Sequence, residues 1–381
     1  MITPSQILLI TNYREDSQYS MLRFGELLLS KAPESNSFQI DEYFPKSVFG
    51  KLCKSRNLFK WAAYLDKYIL FPKRLSSFLS KNEKHFGLVH IIDHSNSVYF
   101  SKIKNAPHIK KLVTCHDLIA IRTALNEFSE APRTSASGKY LQRLIHNALS
   151  HADCYVCDSS QSLRDLNRLV PSSNGHSNII HLGTQSPLHQ ENCKNTNNDL
   201  PFNLRTHPFV LHVGNSGWYK NRKAVLNAFR SLRNRTYGKN TKLVLVGPKP
   251  QNSELDNTLS DWIRSNRNHI ICLESVSEHL LHQLYRHAKV LLFPSHVEGF
   301  GWPPLEAAIR GCLVITSQTG AIHDILGDYP IYVNPNVQSS IDHAVSHVFE
   351  TLDYHTEKIK VPSYIDCLTS YCEVYQRMLL K

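Results

Sequence analysis

Phe209–Phe229 reads FVLHVGNSGWYKNRKAVLNAF. Five mostly apolar residues predict a buried strand, Gly214 lets the chain turn sharply, and an amphipathic pattern from Lys223 to Leu232 predicts a helix. Lys220 and Arg222 fall between strand and helix, where side-chain charge and a helix N-terminus can hold an anion. The same rhythm recurs along the chain. Apolar runs at 7–10, 88–92, 112–115, 154–157, 243–246, 270–273, 290–293, 313–316 and 331–333 alternate with helical patterns at 20–30, 138–150, 161–169, 278–287 and 304–310. Strand–helix alternation predicts parallel sheets covered by helices on both faces. The 381 residues suit two such domains. The polar, Asn-rich stretch QENCKNTNNDLPFNL (190–204) interrupts the rhythm and reads as a linker. The expected layout is therefore 1–190, a linker at 191–204, a second domain at 205–360, and a C-terminal helix at 361–381 that packs back toward the first. Ligands of open α/β sheets bind at the carboxyl ends of the strands, so a cleft between two such domains is the expected site.

Composition narrows the function. No apolar run is long enough to span a bilayer. The N-terminal MITPSQILLITNYRED lacks a basic start and a cleavage site, and it reads as a first strand rather than a leader. The nine cysteines are scattered, and Cys154-Tyr-Val-Cys157 sits inside an apolar strand with no second pair or zinc-spaced histidines. Buried thiols in a reducing cytoplasm are the expectation. The net charge of +11 calls for an anionic partner. Ten Lys and Arg side chains cluster between Lys46 and Lys84 against two acids, interleaved with aromatics such as Trp61 and Phe71. Two readings stay open for this stretch: peripheral contact with an anionic membrane, or surface helices whose rings fill the core and whose lysines are solvated.

The strongest local signal is FPSHVEGFGWPPLEAAIRG, Phe293–Gly311. Glu298 follows a strand end, Gly299 and Gly301 permit close backbone approach, and Pro303-Pro304 opens a helix that carries Glu306. Amides around Gly299, Phe300 and Gly301 can receive phosphate or sugar oxygens, while a carboxylate in the helix can accept from ribose hydroxyls. The plainer reading is a helix with an acid in its first turn.

Continued through CLVIT and GAIHDILGDYPIYVNP, this segment resembles the donor-site signature of glycosyltransferase family 4, retaining enzymes with an E-x7-E motif. Val213-Gly214 to Lys220-Asn221 is similar to that family's glycine turn and phosphate site. LESVSEHLLHQLYRHA (273–288) resembles its nucleobase-side loop and helix. ADCYVCDSSQSLRDL (152–166) resembles the elements that close its first domain, and Cys115-His116-Asp117-Leu118 resembles the turn that supplies an active-site histidine. The resemblance implies an α/β GT-B fold, two Rossmann-like doubly wound domains facing each other across a cleft. It also implies transfer of a sugar, such as mannose or another hexose, from a nucleoside diphosphate to a saccharide or lipid-linked acceptor in surface polysaccharide or glycolipid synthesis. Glu306 would bind ribose and Lys220 the diphosphate. Glu298 with the 299–301 amides would hold the sugar, Val276 would meet the base, and His116 would approach the sugar from the other domain.

Two departures stand out. Asn215 occupies a place where that family commonly has Arg, so Arg222 is the candidate second cation. The loop after the first strand, Asn12–Ser20, is not glycine-rich, which leaves Gln18, Tyr19 and Ser20 as acceptor-side candidates. His94, in IIDHSNS, is either a further acceptor-side residue or a structural loop residue. The chain has no D-x-D triplet, so no metal and no cofactor are expected. Rival readings are a sugar-nucleotide epimerase of the same fold and a basic nucleic-acid-binding protein. The basic residues show no RNP-like, helix-turn-helix or KH pattern.

Overall fold

The computed structural model describes residues 5–16, 18–31, 38–52, 56–82, 85–103, 106, 108–184, 202–250, 255–351, 359 and 361–380. Most of the expected linker, and Cys53 and Cys193, lie outside them. The chain divides into two compact units. One comprises Met1–Glu127, Arg133–Gly183 and Tyr364–Lys381; the other comprises Phe128–Pro132 and Thr184–Ser363.

The first unit holds a six-stranded parallel sheet: β1 (Ser5–Ile10), β2 (Phe38–Tyr43), β3 (Phe86–Ile91), β4 (Lys110–Cys115), β5 (Cys154–Cys157) and β6 (Ser177–Ile179), in the order β2-β1-β3-β4-β5-β6. Its central strands are almost wholly buried and rich in Leu, Ile and Val, as a strand covered on both faces must be. The sequence does not signal β2 and β6. Both lie at sheet edges, and FQIDEY and SNI keep most of their side chains partly or fully exposed, so neither shows a continuous apolar run.

The C-terminal helix Tyr364–Leu379 belongs to this unit and is fastened by buried polar contacts as well as apolar packing. His90 Nδ1 lies 2.7 Å from the Tyr375 hydroxyl, and its Nε2 lies 2.8 Å from Thr114 Oγ1, which in turn meets the Tyr371 hydroxyl at 2.9 Å.

The second unit repeats the plan with β7 (Phe209–Val213), β8 (Lys242–Val246), β9 (Ile270–Leu273), β10 (Val290–Phe293), β11 (Val314–Thr316) and β12 (Ile331–Tyr332), in the order β12-β11-β10-β7-β8-β9, again all parallel. Its core joins Val210, Phe229, Leu245, Leu292 and Ile315.

In each sheet the chain winds outward on one side and then returns to the middle to wind the other way. That reversal falls between β1 and β3 in the first unit and between β7 and β10 in the second. In open α/β sheets ligands bind at such a reversal, outside the carboxyl ends of the strands.

Candidate active site

At the β7–β10 reversal the two loops singled out in the sequence are joined. Lys220 ends a short 3-10 turn, Trp218–Lys220, and its ammonium lies 2.8 and 3.0 Å from the two carboxylate oxygens of Glu298. Both side chains are largely buried, at 12% and 6% exposure, so the charges are held in a site poor in water. The Lys220 ammonium also stands 4.8 Å from the centre of the Phe293 ring.

Backbone pins surround the pair. Asn221, in the left-handed region at φ 53°, donates its side-chain amide to the Pro294 and Pro335 carbonyls at 3.1 and 2.9 Å. The His296 amide donates to the Tyr219 carbonyl at 2.8 Å. The Glu298 amide donates to Thr319 Oγ1 at 3.1 Å. His212 Nδ1 meets the Leu292 carbonyl at 2.9 Å, stitching β7 to β10 beneath the site, and burial pushes its imidazole down to about 4.

The glycine turn is shaped by close approach. The Gly214 amide donates to the Val246 carbonyl at 3.0 Å, and its own carbonyl lies against Gly247, where a Cβ would come within 2.0 Å. Asn215 caps the turn by accepting from the Gly217 amide at 2.9 Å. Arg222 is buried, and its guanidinium donates to the Pro248 carbonyl at 2.6 Å.

On the other loop, Gly301 takes φ 89° to start the helix Trp302–Ala308. Glu306, also buried, accepts from the hydroxyl of Tyr285 at 3.0 Å. Phe300 is buried and meets Trp302 edge-on, and Val276 is half-buried ahead of the helix Glu278–His287. Tyr285, Thr319 and Gly320 were not picked out from sequence. Tyr285 lies within a helical pattern where an aromatic reads as core.

The first unit carries a separate polar cluster at the β1–β3 reversal. Asn12 Nδ2 donates to Gln18 Oε1 and to Asp93 Oδ2, each at 2.7 Å, and Asn96 returns a bond to Asn12 at 3.0 Å. Asp93 also accepts from the Ser95 amide and hydroxyl. Burial would raise its pKa, but His94, His116 and these donors hold it below the usual carboxylate value. His94 is buried, with Nδ1 3.4 Å from Asp93 Oδ1. Ser20 is exposed in the first turn of the helix Tyr19–Lys31, and the Tyr19 side chain lies outside the described residues.

His116, just past β4, has Nδ1 2.9 Å from Asp158 Oδ2 and Nε2 2.9 Å from the Ile92 carbonyl. A carboxylate and a carbonyl both accept, so both ring nitrogens carry protons and the ring is an imidazolium. Burial opposes that charge, yet Asp158, Asp93 and the Ile92 carbonyl outweigh it and hold the pKa at about 9. His90, buried near His116, is pushed by burial to about 3 and stays neutral.

These histidines set a pH dependence. Below about pH 6.5 an unfolded chain takes up protons that native His90 and His212 refuse, so stability falls as pH drops. Above about pH 6.5 native His116 keeps a proton that the unfolded chain loses, so stability falls again toward pH 9. Each group contributes a slope of about 1.4 kcal/mol per pH unit. The unfolding midpoint should therefore peak near neutrality, and His116→Gln should flatten the alkaline limb while sparing the acid one. An alkaline limb unchanged in that variant would refute the imidazolium assignment.

Among the described residues no group of three or more His, Cys, Asp or Glu could hold a metal ion. The described cysteines are free, and five of the seven are buried.

Residues 197–351 match the family model described as "Glycosyl transferases group 1". That segment carries a glycosyltransferase domain. The O-antigen chain mannosyltransferase B of Escherichia coli is 24% identical over 274 residues, 68% of this chain and 66% of that protein. The O-antigen chain mannosyltransferase RfbU of Salmonella typhimurium is 37% identical over 81 residues, 21% of this chain and 23% of that protein. The chain thus spans about two thirds of the first of these relatives and less of the second. Sucrose-phosphate synthase from Thermosynechococcus elongatus superposes with a TM-score of 0.73 at 18% identity, covering 99% of each chain. That likeness, together with the two parallel Rossmann-like sheets, makes the fold GT-B. Lys220, Glu298 and Glu306 all lie within the matched glycosyltransferase segment.

Proposed function

We propose that the chain is a retaining glycosyltransferase of family 4 that moves a hexose, mannose by preference, from a nucleoside diphosphate to a hydroxyl of a saccharide. The reading rests on one observation above all: the Lys220–Glu298 ion pair at the β7–β10 reversal, inside the matched glycosyltransferase segment. Mannose and surface polysaccharide assembly are suggested by the two O-antigen mannosyltransferases named above. The acceptor in this reading is carried on a lipid, which would bring the enzyme to a membrane. Among the described residues no helix is long and apolar enough to cross one.

In the proposed site Lys220, seconded by Arg222 and by the turn that Gly214 opens, with the Asn215 amide in it, neutralises the diphosphate as it leaves. Such stabilisation at the point where charge develops is commonly the largest catalytic term. Glu306, oriented by Tyr285, accepts from the ribose. Glu298 and the amides of Gly299, Phe300 and Gly301 hold the sugar, and Val276 meets the base. Gln18, Tyr19, Ser20 and His94 serve the acceptor side. His116 contributes as a fixed positive charge, since both its nitrogens are engaged. The bond from the anomeric carbon to the phosphate oxygen breaks, a bond to the acceptor oxygen forms on the same face, and the departing phosphate takes the acceptor's proton. No metal or cofactor enters this scheme. Nothing in the fold or the relatives favours the epimerase or the nucleic-acid reading.

A donor panel tests the reading. GDP-mannose, UDP-glucose and ADP-glucose, each supplied with a lipid-linked saccharide, should yield transfer from one donor with release of its nucleoside diphosphate. Glu306→Ala should weaken binding of that nucleotide by about 1–3 kcal/mol, the cost of leaving polar groups unmet. Epimerised donor without transfer would overturn the proposal.

A further inference from the structure

Six of the thirteen large apolar side chains that stand exposed among the described residues fall between Phe49 and Ile69. Four of them, Leu58, Trp61, Leu65 and Ile69, recur at intervals of three, four and four. Along the helix Arg56–Leu65 and the π-helical turn Asp66–Leu70 they form one outward stripe, with Trp61 64% exposed. The inward face is separate: Ala62, Ala63 and Asp66 are buried. The aromatics of this region divide in the same way. Phe71 and Phe78 pack on Tyr43 in the core, Phe78 stacked at 4.5 Å, while Phe49 and Trp61 turn outward. Core filling accounts for the first group and leaves the second unexplained.

Charge follows the same surface. From Phe44 to Asn82 the only acid is Asp66. It is 1% exposed, and its carboxylate is occupied by the amides of Val48, Phe49 and Gly50 and by the Tyr13 hydroxyl. Those bonds tie the 48–50 backbone to the helix, and the same loop carries the exposed Phe49, Lys51 and Leu52. Lys46, Lys51, Lys60, Lys73 and Arg74 are all exposed. Lys46, Lys51 and Arg74 also line, with Arg14 and Phe44, an open cavity of about 470 Å³. Glu15 lines it as well, and Arg14 is shared with Glu42.

We propose that this face docks on an anionic phospholipid bilayer, with the stripe in the interface and the cavity's cations on lipid phosphates. An interfacial surface needs a strip of large apolar side chains flanked by cations, and this segment supplies both. A second copy of the chain fits worse, because two such faces brought together would set cation against cation. The inference extends the lipid-linked acceptor proposed above. Its test uses neither donor nor acceptor, so the two can fail separately.

The test is co-sedimentation of the full chain with vesicles of phosphatidylglycerol and phosphatidylcholine, and with phosphatidylcholine alone. The protein should pellet with the anionic vesicles at low salt. It should lose on the order of tenfold in binding at high salt or in Lys46→Glu/Lys51→Glu, the dependence that surface charge imposes. Leu58→Ser/Trp61→Ser should also weaken binding while moving the unfolding midpoint little, because these two side chains are 61% and 64% exposed. Three results would overturn the proposal: protein left in the supernatant with anionic vesicles, binding indifferent to both double variants, or sedimentation velocity showing a dimer that Trp61→Ser dissolves while vesicles bind nothing. A rise in unfolding midpoint with inorganic phosphate but no vesicle binding would equally replace the bilayer with a soluble anion.

Discussion

Lys220→Met should lower glycosyl transfer on the order of 10²–10³-fold, with most of the loss in kcat. Removing one preorganised group that meets developing charge typically costs that much. The ammonium sits at the β7–β10 reversal, over the Phe293 ring and against both oxygens of Glu298, in a site that screens charge poorly. The same substitution leaves the largely buried Glu298 without its counter-charge, which for buried pairs costs about 3–5 kcal/mol. The double variant K220M/E298Q separates the two effects, because it removes the stranded charge. It should regain much of the stability and none of the activity. If K220M keeps its rate, or the double variant regains rate with stability, Lys220 is a structural cation and the phosphate role falls.

Gly247→Ala should destabilise the second unit by about 3 kcal/mol or more, a large effect with a named steric cause. Gly247 has φ 128°, where side-chain-bearing residues are strained, and a Cβ there would stand 2.0 Å from the Gly214 carbonyl oxygen. Relief requires the glycine turn to move away from β8. The turn that carries Asn215 and leads to Lys220 would shift with it, so nucleotide affinity should fall as well. Denaturant unfolding followed by nucleotide titration of the surviving fold checks both parts. A variant as stable as the parent would mean that the crossing of the two turns is looser than these distances imply. Gly320, with φ 63° and its Cβ position 2.7 Å from the Gly299 carbonyl, invites the same test on the other loop.

Much of this architecture was legible because the buried parallel strands write themselves as short apolar runs. The runs at 88–92, 112–115, 209–213, 243–246 and 290–293 all became strands. What escaped was of two kinds. Edge strands such as Phe38–Tyr43 show too little burial to leave a pattern. Contacts between distant positions leave none at all: Lys220 and Glu298 were each visible, but 78 residues of chain hide their direct pairing. Tyr285 was masked by a helical rhythm in which aromatics usually mean core. Asn12, Asp93 and Asn96 are ordinary polar residues until the β1–β3 reversal brings them together. The aromatic run between Lys46 and Lys84 offered both core and surface, and the fold divides it between them.

The central claim is that the β7–β10 reversal holds a nucleoside diphosphate, and calorimetric titration tests it most directly. GDP, UDP and ADP, and the matching nucleosides, would be titrated into the parent chain and into Lys220→Met. One diphosphate should bind at a single site, and the substitution should weaken it far more than it weakens its nucleoside. No binding by any of the three diphosphates, or equal losses for diphosphate and nucleoside, would contradict the claim.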